Sequence, residues 1–195
     1  MDQVARRPIL TSLPNILTYG RIVAVPVLVA CLFFSKGPEA RWTAFAIFVV
    51  ASITDWLDGY LARMWEQQSA LGRMLDPIAD KLLVGATLLM LVYDGTISGW
   101  AIWAAVIILS REILVSGLRE FLAELNVKVH VTQLAKWKTA AQLVALAMLL
   151  AGPAATHIWP SAGTAGLVIL WMSALLTLFT GYDYLKAAIR HAIET

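Results

Sequence analysis

Residues 55–81 of the chain read DWLDGYLARMWEQQSALGRMLDPIADK, and this stretch decides how the rest of the sequence is interpreted. Two apolar segments meet here, and each carries a pair of aspartates: Asp55 and Asp58 in the first, Asp76 and Asp80 in the second. The members of each pair are three or four residues apart, so on a helix they share a face. Ionisable side chains inside membrane helices are costly and usually functional. The stretch therefore predicts a charged site within a membrane protein.

The two segments are predicted to be antiparallel neighbouring helices joined by a short loop, which brings the two pairs to a similar depth. At a rise of about 1.5 Å per residue, Asp58 and Asp55 lie about 8 and 12 Å inward from Arg63, and the second pair lies about 5 and 11 Å inward from Arg73. Four uncompensated carboxylates would repel one another. Oxygen ligands of this kind favour Mg²⁺ or Mn²⁺, so one or two divalent cations are expected here.

Two alternative roles for the aspartates stay open at this point. They could form structural ion pairs with Arg63, Arg73 and Lys81, or they could be the coupling site of an ion-driven transporter. Four aspartates at convergent spacing, with Gly59 and Gly72 leaving room for a ligand, disfavour simple ion pairing. Transporters usually carry inverted repeats and interrupted helices near the midplane, and no repeat is recognisable in this sequence.

Composition extends the membrane interpretation to the whole chain. Of 195 residues, 59% are hydrophobic and only 14% are charged, and the formal charge of +2 does not suggest a nucleic-acid partner. The predicted fold class is an all-α integral membrane protein. Residues 1–195 are expected to form one transmembrane domain, with 1–13 as a juxtamembrane segment that includes a short interfacial helix. Six transmembrane helices are predicted, at 14–34, 42–63, 73–92, 100–122, 134–150 and 163–186.

Basic residues predict the orientation of these helices. If the N-terminus is cytoplasmic, Lys36 and Arg41 are the only two of the 15 Lys and Arg that fall on the outer side. The loops near Asp94 and Thr156 contain no Lys or Arg. Both termini are therefore predicted to be cytoplasmic, with the aspartates in the cytoplasmic half of the membrane. Tyr184 is expected to be an interfacial anchor at the end of the last helix.

Written as spacing, residues 55–80 read D-x2-D-G-x2-A-R-x8-G-x3-D-x3-D, which resembles the signature of the CDP-alcohol phosphatidyltransferase family at all eight defining positions. The resemblance implies a six-span homodimeric enzyme whose site opens to the cytoplasm, and in which an acceptor hydroxyl displaces CMP from a CDP-linked lipid. It implies that two metal ions are bound by the four aspartates, Asp55, Asp58, Asp76 and Asp80. Asp80 would also be the general base. Contacts to the CDP moiety would come from Gly59, Ala62, Arg63 and Gly72.

Further basic residues bear on the identity of the acceptor. Arg111 and Arg119 are eight residues apart in the fourth predicted helix, and Lys136 and Lys138 begin the fifth. An acceptor that carries its own phosphate needs such cations, whereas a neutral or zwitterionic acceptor such as serine does not. The alternatives are that Arg111 pairs with Glu112 or an aspartate of the motif, and that the two lysines are ordinary interfacial residues.

Three shorter and less specific motifs resemble the branch of the family that uses a glycerol phosphate. These are REILVSGLRE at 111–120, KWKT at 136–139, and LPNILT followed by Arg21. This resemblance implies CDP-diacylglycerol and sn-glycerol 3-phosphate as substrates, and it places Asn15, Thr18 and Arg21 near the nucleotide. Inositol phosphate and phosphatidylglycerol remain alternative acceptors. A bacterial inner membrane is the expected location, with the mitochondrial inner membrane as the alternative.

Overall fold

A computed structural model describes residues 13–64, 70–125 and 133–194, which are almost entirely helical and contain no strand. This confirms the predicted all-α class. The described ranges contain six helices: α1 Leu13–Phe34, α2 Pro38–Met64, α3 Ala70–Tyr93, α4 Ala101–Glu124, α5 Gln133–Ala151 and α6 Ala162–Glu194. The interfacial helix predicted before α1 lies outside the described residues.

Helices α2 and α6 exceed the apolar segments that predicted them by the largest margins. Helix α2 begins four residues earlier, at Pro38, because proline suits the first turn of a helix and Glu39 complements the positive end of the helix dipole there. Helix α6 has 33 residues and continues to Glu194. The residues after Lys186 are good helix formers without a Gly or Pro, so the backbone stays helical where the apolar pattern ends.

Within the described ranges, three helices contain segments long and apolar enough to cross a membrane: Asn15–Phe34, Ala101–Ala123 and Ala162–Lys186. Helix α5 has a shorter apolar segment, Trp137–Ala151. Helices α2 and α3 have sufficient length, 27 and 24 residues, but both carry the aspartates that lower their hydrophobicity. Six membrane spans and cytoplasmic termini therefore stay a prediction.

The chain forms two compact units, Met1–Met90 and Leu91–Thr195. In unit 1, α1 packs against α2, and the two run antiparallel because Arg21 meets Asp55 while Cys31 meets Ala40. Small alanines and a few large side chains fill this unit's core: Leu28, Leu32, Ala40, Ala44, Phe48 and Ala51. Small residues at a helix interface let two backbones approach closely, which is how helices associate in membranes.

In unit 2, α6 packs against both α4 and α5. Arg111 meets Thr177 and Arg119 meets Tyr184, so α4 and α6 run parallel. Helix α5 runs the other way, since a Cβ on Gly166 would touch Leu149 whereas the Lys138 carbonyl accepts a hydrogen bond from Ser173 further along α6. Two helices in one direction and one in the other agree with an up-down-up arrangement.

Gly166 is expected to control the packing of α6 on α5. A Cβ at this position would lie 3.0 Å from Leu149 Cγ and 3.3 Å from Met148 Cβ, so the α5 side chains would have to shift. We expect Gly166→Ala to destabilise the protein by about 1 kcal/mol, as overpacking outweighs the gain in helix propensity. Thermal unfolding in detergent measures this. Gly163→Ala is the matched control, because its Cβ would meet nothing within 4 Å; an equal loss in both variants would contradict the packing explanation.

Candidate active site

The aspartates of unit 1 lie on two helices that the motif predicts to be neighbours. Asp55 belongs to α2, and Asp76 and Asp80 belong to α3. The Asp80 carboxyl lies within hydrogen-bonding reach of Asp55, and Asp76 is close enough to repel Asp55 electrostatically. Carboxylates that approach each other in this way need a shared proton or a bound cation. Asp55 on α2 thus interacts with both Asp76 and Asp80 on α3.

Helix α1 supplies the partners of these carboxylates. Arg21 Nη1 lies 2.5 Å from Asp55 Oδ1, and the Thr18 hydroxyl donates a 2.6 Å hydrogen bond to Asp76 Oδ1. The Arg21 side chain is fully buried, whereas that of Asp55 is 33% exposed. Asn15 is buried one turn before Thr18. The sequence-based prediction places Asn15, Thr18 and Arg21 beside a nucleotide; the structure places two of them directly on the aspartates.

The carboxylate oxygens of unit 1 are of the chemical type that binds a hard divalent cation. Asp55, Asp76 and Asp80 offer only oxygen atoms, which Mg²⁺ and Mn²⁺ prefer. Among the described side chains, however, no group of three or more Asp, Glu, His or Cys is arranged so that it could hold a metal ion. The side chain of Asp58, the fourth predicted ligand, lies outside the described part. The predicted binding of two metal ions therefore stays a prediction.

Several predicted site residues can be placed on the backbone only. Asp58, Gly59, Ala62 and Arg63 belong to the last turns of α2, and Lys136 belongs to the first turn of α5. Their side chains lie outside the described part of the structure. Gly72 is buried near the start of α3 and makes a contact there.

Unit 2 contains a buried arginine that is bonded to α6. Arg111 is 8% exposed; its Nε donates to the Thr177 carbonyl and its Nη2 to the Thr180 hydroxyl, both at 3.1 Å. A Cβ on Gly181 would lie 3.3 Å from Arg111 Cγ, so this glycine leaves room for the arginine stem. The third nitrogen, Nη1, is 3.5 Å from Glu112 Oε1. Pairing with Glu112, the alternative role predicted for Arg111, is therefore present.

Lys138 is the second buried cation of unit 2, with 4% of its surface exposed. Its ammonium group forms an ion pair with Glu112 Oε1, the same oxygen that faces Arg111. Since the side chain is buried and paired, Lys138 is not an ordinary interfacial lysine.

Arg119 is exposed and lies against an aromatic ring. Its guanidinium carbon is 5.5 Å from the ring centroid of Tyr184, a cation–π contact. Tyr184 is only 5% exposed, and its buried hydroxyl has no hydrogen-bond partner among the described residues. The expectation that Tyr184 is an interfacial anchor is wrong, because the ring supports Arg119 within unit 2.

Residue spacing on α6 could have identified this polar face in advance. Four of its side chains recur at intervals of four, three and four residues, which places them on one face of a helix: Ser173, Thr177, Thr180 and Tyr184. All four are buried. The sequence analysis did not predict this shared face, and it assigned Glu112 no role beyond pairing.

Comparison with known proteins places both units within one family. Residues 11–179 match the family model described as CDP-alcohol phosphatidyltransferase, and this range includes every predicted site residue. The chain is 46% identical to the CDP-diacylglycerol–glycerol-3-phosphate 3-phosphatidyltransferase of Rickettsia bellii, over 92% of this chain and 97% of the relative. Proteins of the same name from Escherichia coli K12 and Cereibacter sphaeroides are 41% and 39% identical, over 91% of this chain and 94% and 96% of their own lengths.

Proposed function

The chain belongs to the CDP-alcohol phosphatidyltransferase family, and on this basis we propose that it transfers the phosphatidyl group of CDP-diacylglycerol to sn-glycerol 3-phosphate, with release of CMP. The observation that carries the proposal is the similarity to enzymes named for this reaction, which covers at least 91% of the chain at 39–46% identity in the three relatives compared. The same chemistry with inositol phosphate or phosphatidylglycerol as the acceptor is the alternative.

Asp55, Asp58, Asp76 and Asp80 are the proposed ligands of Mg²⁺ or Mn²⁺. The all-oxygen donor set and the interactions of Asp55 with Asp76 and with Asp80 support this assignment. When bound, two such ions would neutralise negative charge on the pyrophosphate group of the CDP-lipid. Arg21 and Thr18, both on α1, bind the Asp55 and Asp76 carboxylates. The two carboxylates therefore keep their positions when no metal ion is bound.

Asp80 is the proposed general base of the reaction. A carboxylate oxygen of Asp80 takes the proton of the acceptor hydroxyl while that hydroxyl oxygen forms a bond to the lipid-linked phosphorus. The bond between this phosphorus and the bridging oxygen of CMP breaks, and CMP leaves with the electron pair. A single in-line displacement of this kind needs no covalent intermediate with the protein.

The buried cations of unit 2 support an acceptor that carries a phosphate group. Arg111 and Lys138 place two positive charges in the interior of a helical unit, and among the described side chains the carboxylate that pairs with them is that of Glu112. Arg119 adds a third cation, held against Tyr184. These residues, with Lys136, are the proposed phosphate-binding set. Residues of the motif and α1 are the proposed CDP-lipid contacts: Asn15, Thr18, Arg21, Gly59, Ala62, Arg63 and Gly72.

The proposed setting is the cytoplasmic membrane of a bacterium. The relatives compared are bacterial proteins, and the structure has three helices of membrane-spanning length and apolarity among its described residues. Six spans, cytoplasmic termini, a site that faces the cytoplasm and a homodimer belong to the same proposal. The asymmetric distribution of Lys and Arg supports the orientation.

Release of CMP by the purified protein in detergent tests the function. CDP-diacylglycerol and Mg²⁺ or Mn²⁺ would be supplied with one acceptor at a time: glycerol 3-phosphate, inositol phosphate, serine or phosphatidylglycerol. We expect turnover with glycerol 3-phosphate alone, and loss of turnover on adding a chelator. Turnover with a different acceptor would overturn the acceptor assignment, and no turnover with any acceptor would overturn the function.

Replacing Arg119 is expected to weaken acceptor binding selectively. Arg119→Ala removes a phosphate-binding cation, so the KM for glycerol 3-phosphate should rise about tenfold or more, whereas the KM for CDP-diacylglycerol should change less than about twofold. Steady-state kinetics with each substrate varied in turn measure both constants. Lys36→Ala, which removes an exposed cation from the turn between α1 and α2, is the control and should change neither. An equal rise of both constants in Arg119→Ala would contradict a phosphate-binding role.

A further inference from the structure

Glu112 connects the two buried cations of unit 2 through one oxygen atom. Its Oε1 forms an ion pair with the Lys138 ammonium and lies 3.5 Å from Arg111 Nη1. The side chains of Lys138 and Arg111 are 5% and 9% exposed, whereas that of Glu112 is 22% exposed. The Glu112 carboxylate is thus the most solvent-exposed member of the trio formed by Arg111, Glu112 and Lys138.

The trio joins all three helices of unit 2. Glu112 and Arg111 belong to α4, Lys138 belongs to α5, and Arg111 is bonded to the Thr177 carbonyl and the Thr180 hydroxyl on α6. The two cations differ in how they are held. Among the described residues, Arg111 has two α6 partners in addition to Glu112, whereas the Lys138 ammonium has its ion pair with Glu112 alone. A lysine side chain has four rotatable bonds and a point charge without a fixed bonding direction. Its position therefore depends strongly on this carboxylate.

We infer that Glu112 is a positioning residue that holds the Lys138 ammonium beside Arg111 so that the two cations can bind the phosphate of the acceptor. The inference rests on the proposed function, since it concerns how the acceptor is recognised. Glu112 acts through Lys138 and does not contact the reacting atoms. What matters in this role is the reach of the side-chain oxygen, because a single oxygen atom must meet both cations.

Two substitutions separate reach from charge. Glu112→Gln keeps an oxygen at the same distance from the backbone and removes the negative charge, whereas Glu112→Asp keeps the charge and withdraws it by one methylene. We expect Glu112→Asp to raise the KM for glycerol 3-phosphate about tenfold or more, and Glu112→Gln to raise it less than about threefold. The KM for CDP-diacylglycerol should change less than about twofold in both. Glu120→Asp and Glu120→Gln, at an exposed position two turns along α4, are the matched controls.

The two substitutions give distinguishable results if the inference is wrong. A large rise in Glu112→Gln with little change in Glu112→Asp would show that charge matters and reach does not. A fall in the acceptor KM in Glu112→Gln would show that the carboxylate competes with phosphate. Similar shifts of the KM for glycerol 3-phosphate and the KM for CDP-diacylglycerol would show that Glu112 has only a structural role. No shift in either variant would show that Glu112 has no role in acceptor binding. Each of these results would overturn the inference. Failure of the unsubstituted protein to turn over glycerol 3-phosphate would instead overturn the proposed function.

Discussion

Asp80→Asn is expected to reduce CMP release by at least about 10³-fold, while folding and binding of CDP-diacylglycerol are largely retained. The substitution removes the carboxylate that is proposed to accept the acceptor's proton, a role worth about 10²–10⁴-fold in rate. It also removes one proposed metal ligand. Asparagine has nearly the same shape, so the contact with Asp55 can persist through a neutral hydrogen bond. The rate of CMP release under saturating substrates, together with a CDP-lipid binding measurement, tests the prediction.

Asp94→Asn provides the control for this experiment. Asp94 is an exposed aspartate of the turn after α3, where its Oδ1 accepts hydrogen bonds from the backbone and hydroxyl of Thr96 at 2.9 and 2.5 Å. Asparagine keeps an oxygen that can accept both, so Asp94→Asn should keep nearly full activity. Full activity in Asp80→Asn would exclude Asp80 as the base, and loss of CDP-lipid binding alone would assign Asp80 to substrate binding.

Arg21→Met is expected to have the second largest effect, because it removes the cation that faces Asp55 from α1. Breaking a buried ion pair by removing one partner typically costs about 3–5 kcal/mol, since the other charge is left uncompensated. Arg21 would then no longer offset the repulsion of Asp55 by Asp76. We expect a lower unfolding temperature and a fall in kcat/KM of at least about 10²-fold. Thermal unfolding and steady-state kinetics in the same detergent measure the two effects.

A double substitution separates stability from catalysis at this pair. Adding Asp55→Asn to Arg21→Met removes the unpaired carboxylate, so part of the lost stability should return, in keeping with the strong coupling of contacting charges. Activity should stay low, because Asp55 is itself a proposed metal ligand. The stability loss of the double variant could instead equal the sum of the losses of the two single variants. That result would mean that the 2.5 Å contact between Arg21 and Asp55 contributes little to the stability of the folded protein.

The helices and the proximity of Asp55 to Asp76 and Asp80 could be predicted, because helices and shared helix faces follow from local periodicity. Apolar segments bounded by Gly and Pro predicted six helices, and the described residues contain six. The i, i+3 and i, i+4 spacing within residues 55–80 predicted that two pairs of carboxylates share helix faces. Errors at helix ends have a simple cause. A membrane span ends where the apolar residues end, whereas the hydrogen-bonded backbone of α2 and α6 continues through polar residues.

Long-range partners could not be predicted in the same way. Thr18 and Asp76 are 58 residues apart, and Lys138 and Glu112 are 26 apart. Periodicity identifies the face of a helix but not which face of another helix it meets, because that depends on packing of the whole unit. Tyr184 illustrates the difference: its place near the end of an apolar helix suggested an interfacial anchor, yet its ring is buried against Arg119.

Mass-spectrometric analysis of the lipid product tests the central claim most directly. The purified protein would be incubated with Mg²⁺, unlabelled CDP-diacylglycerol and glycerol 3-phosphate in which every carbon carries ¹³C. We predict a diacyl lipid that contains the intact labelled glycerol phosphate and two phosphorus atoms, one from each substrate, in amounts equal to the CMP released. CMP release without a labelled lipid, or a labelled lipid with a single phosphorus atom, would contradict it.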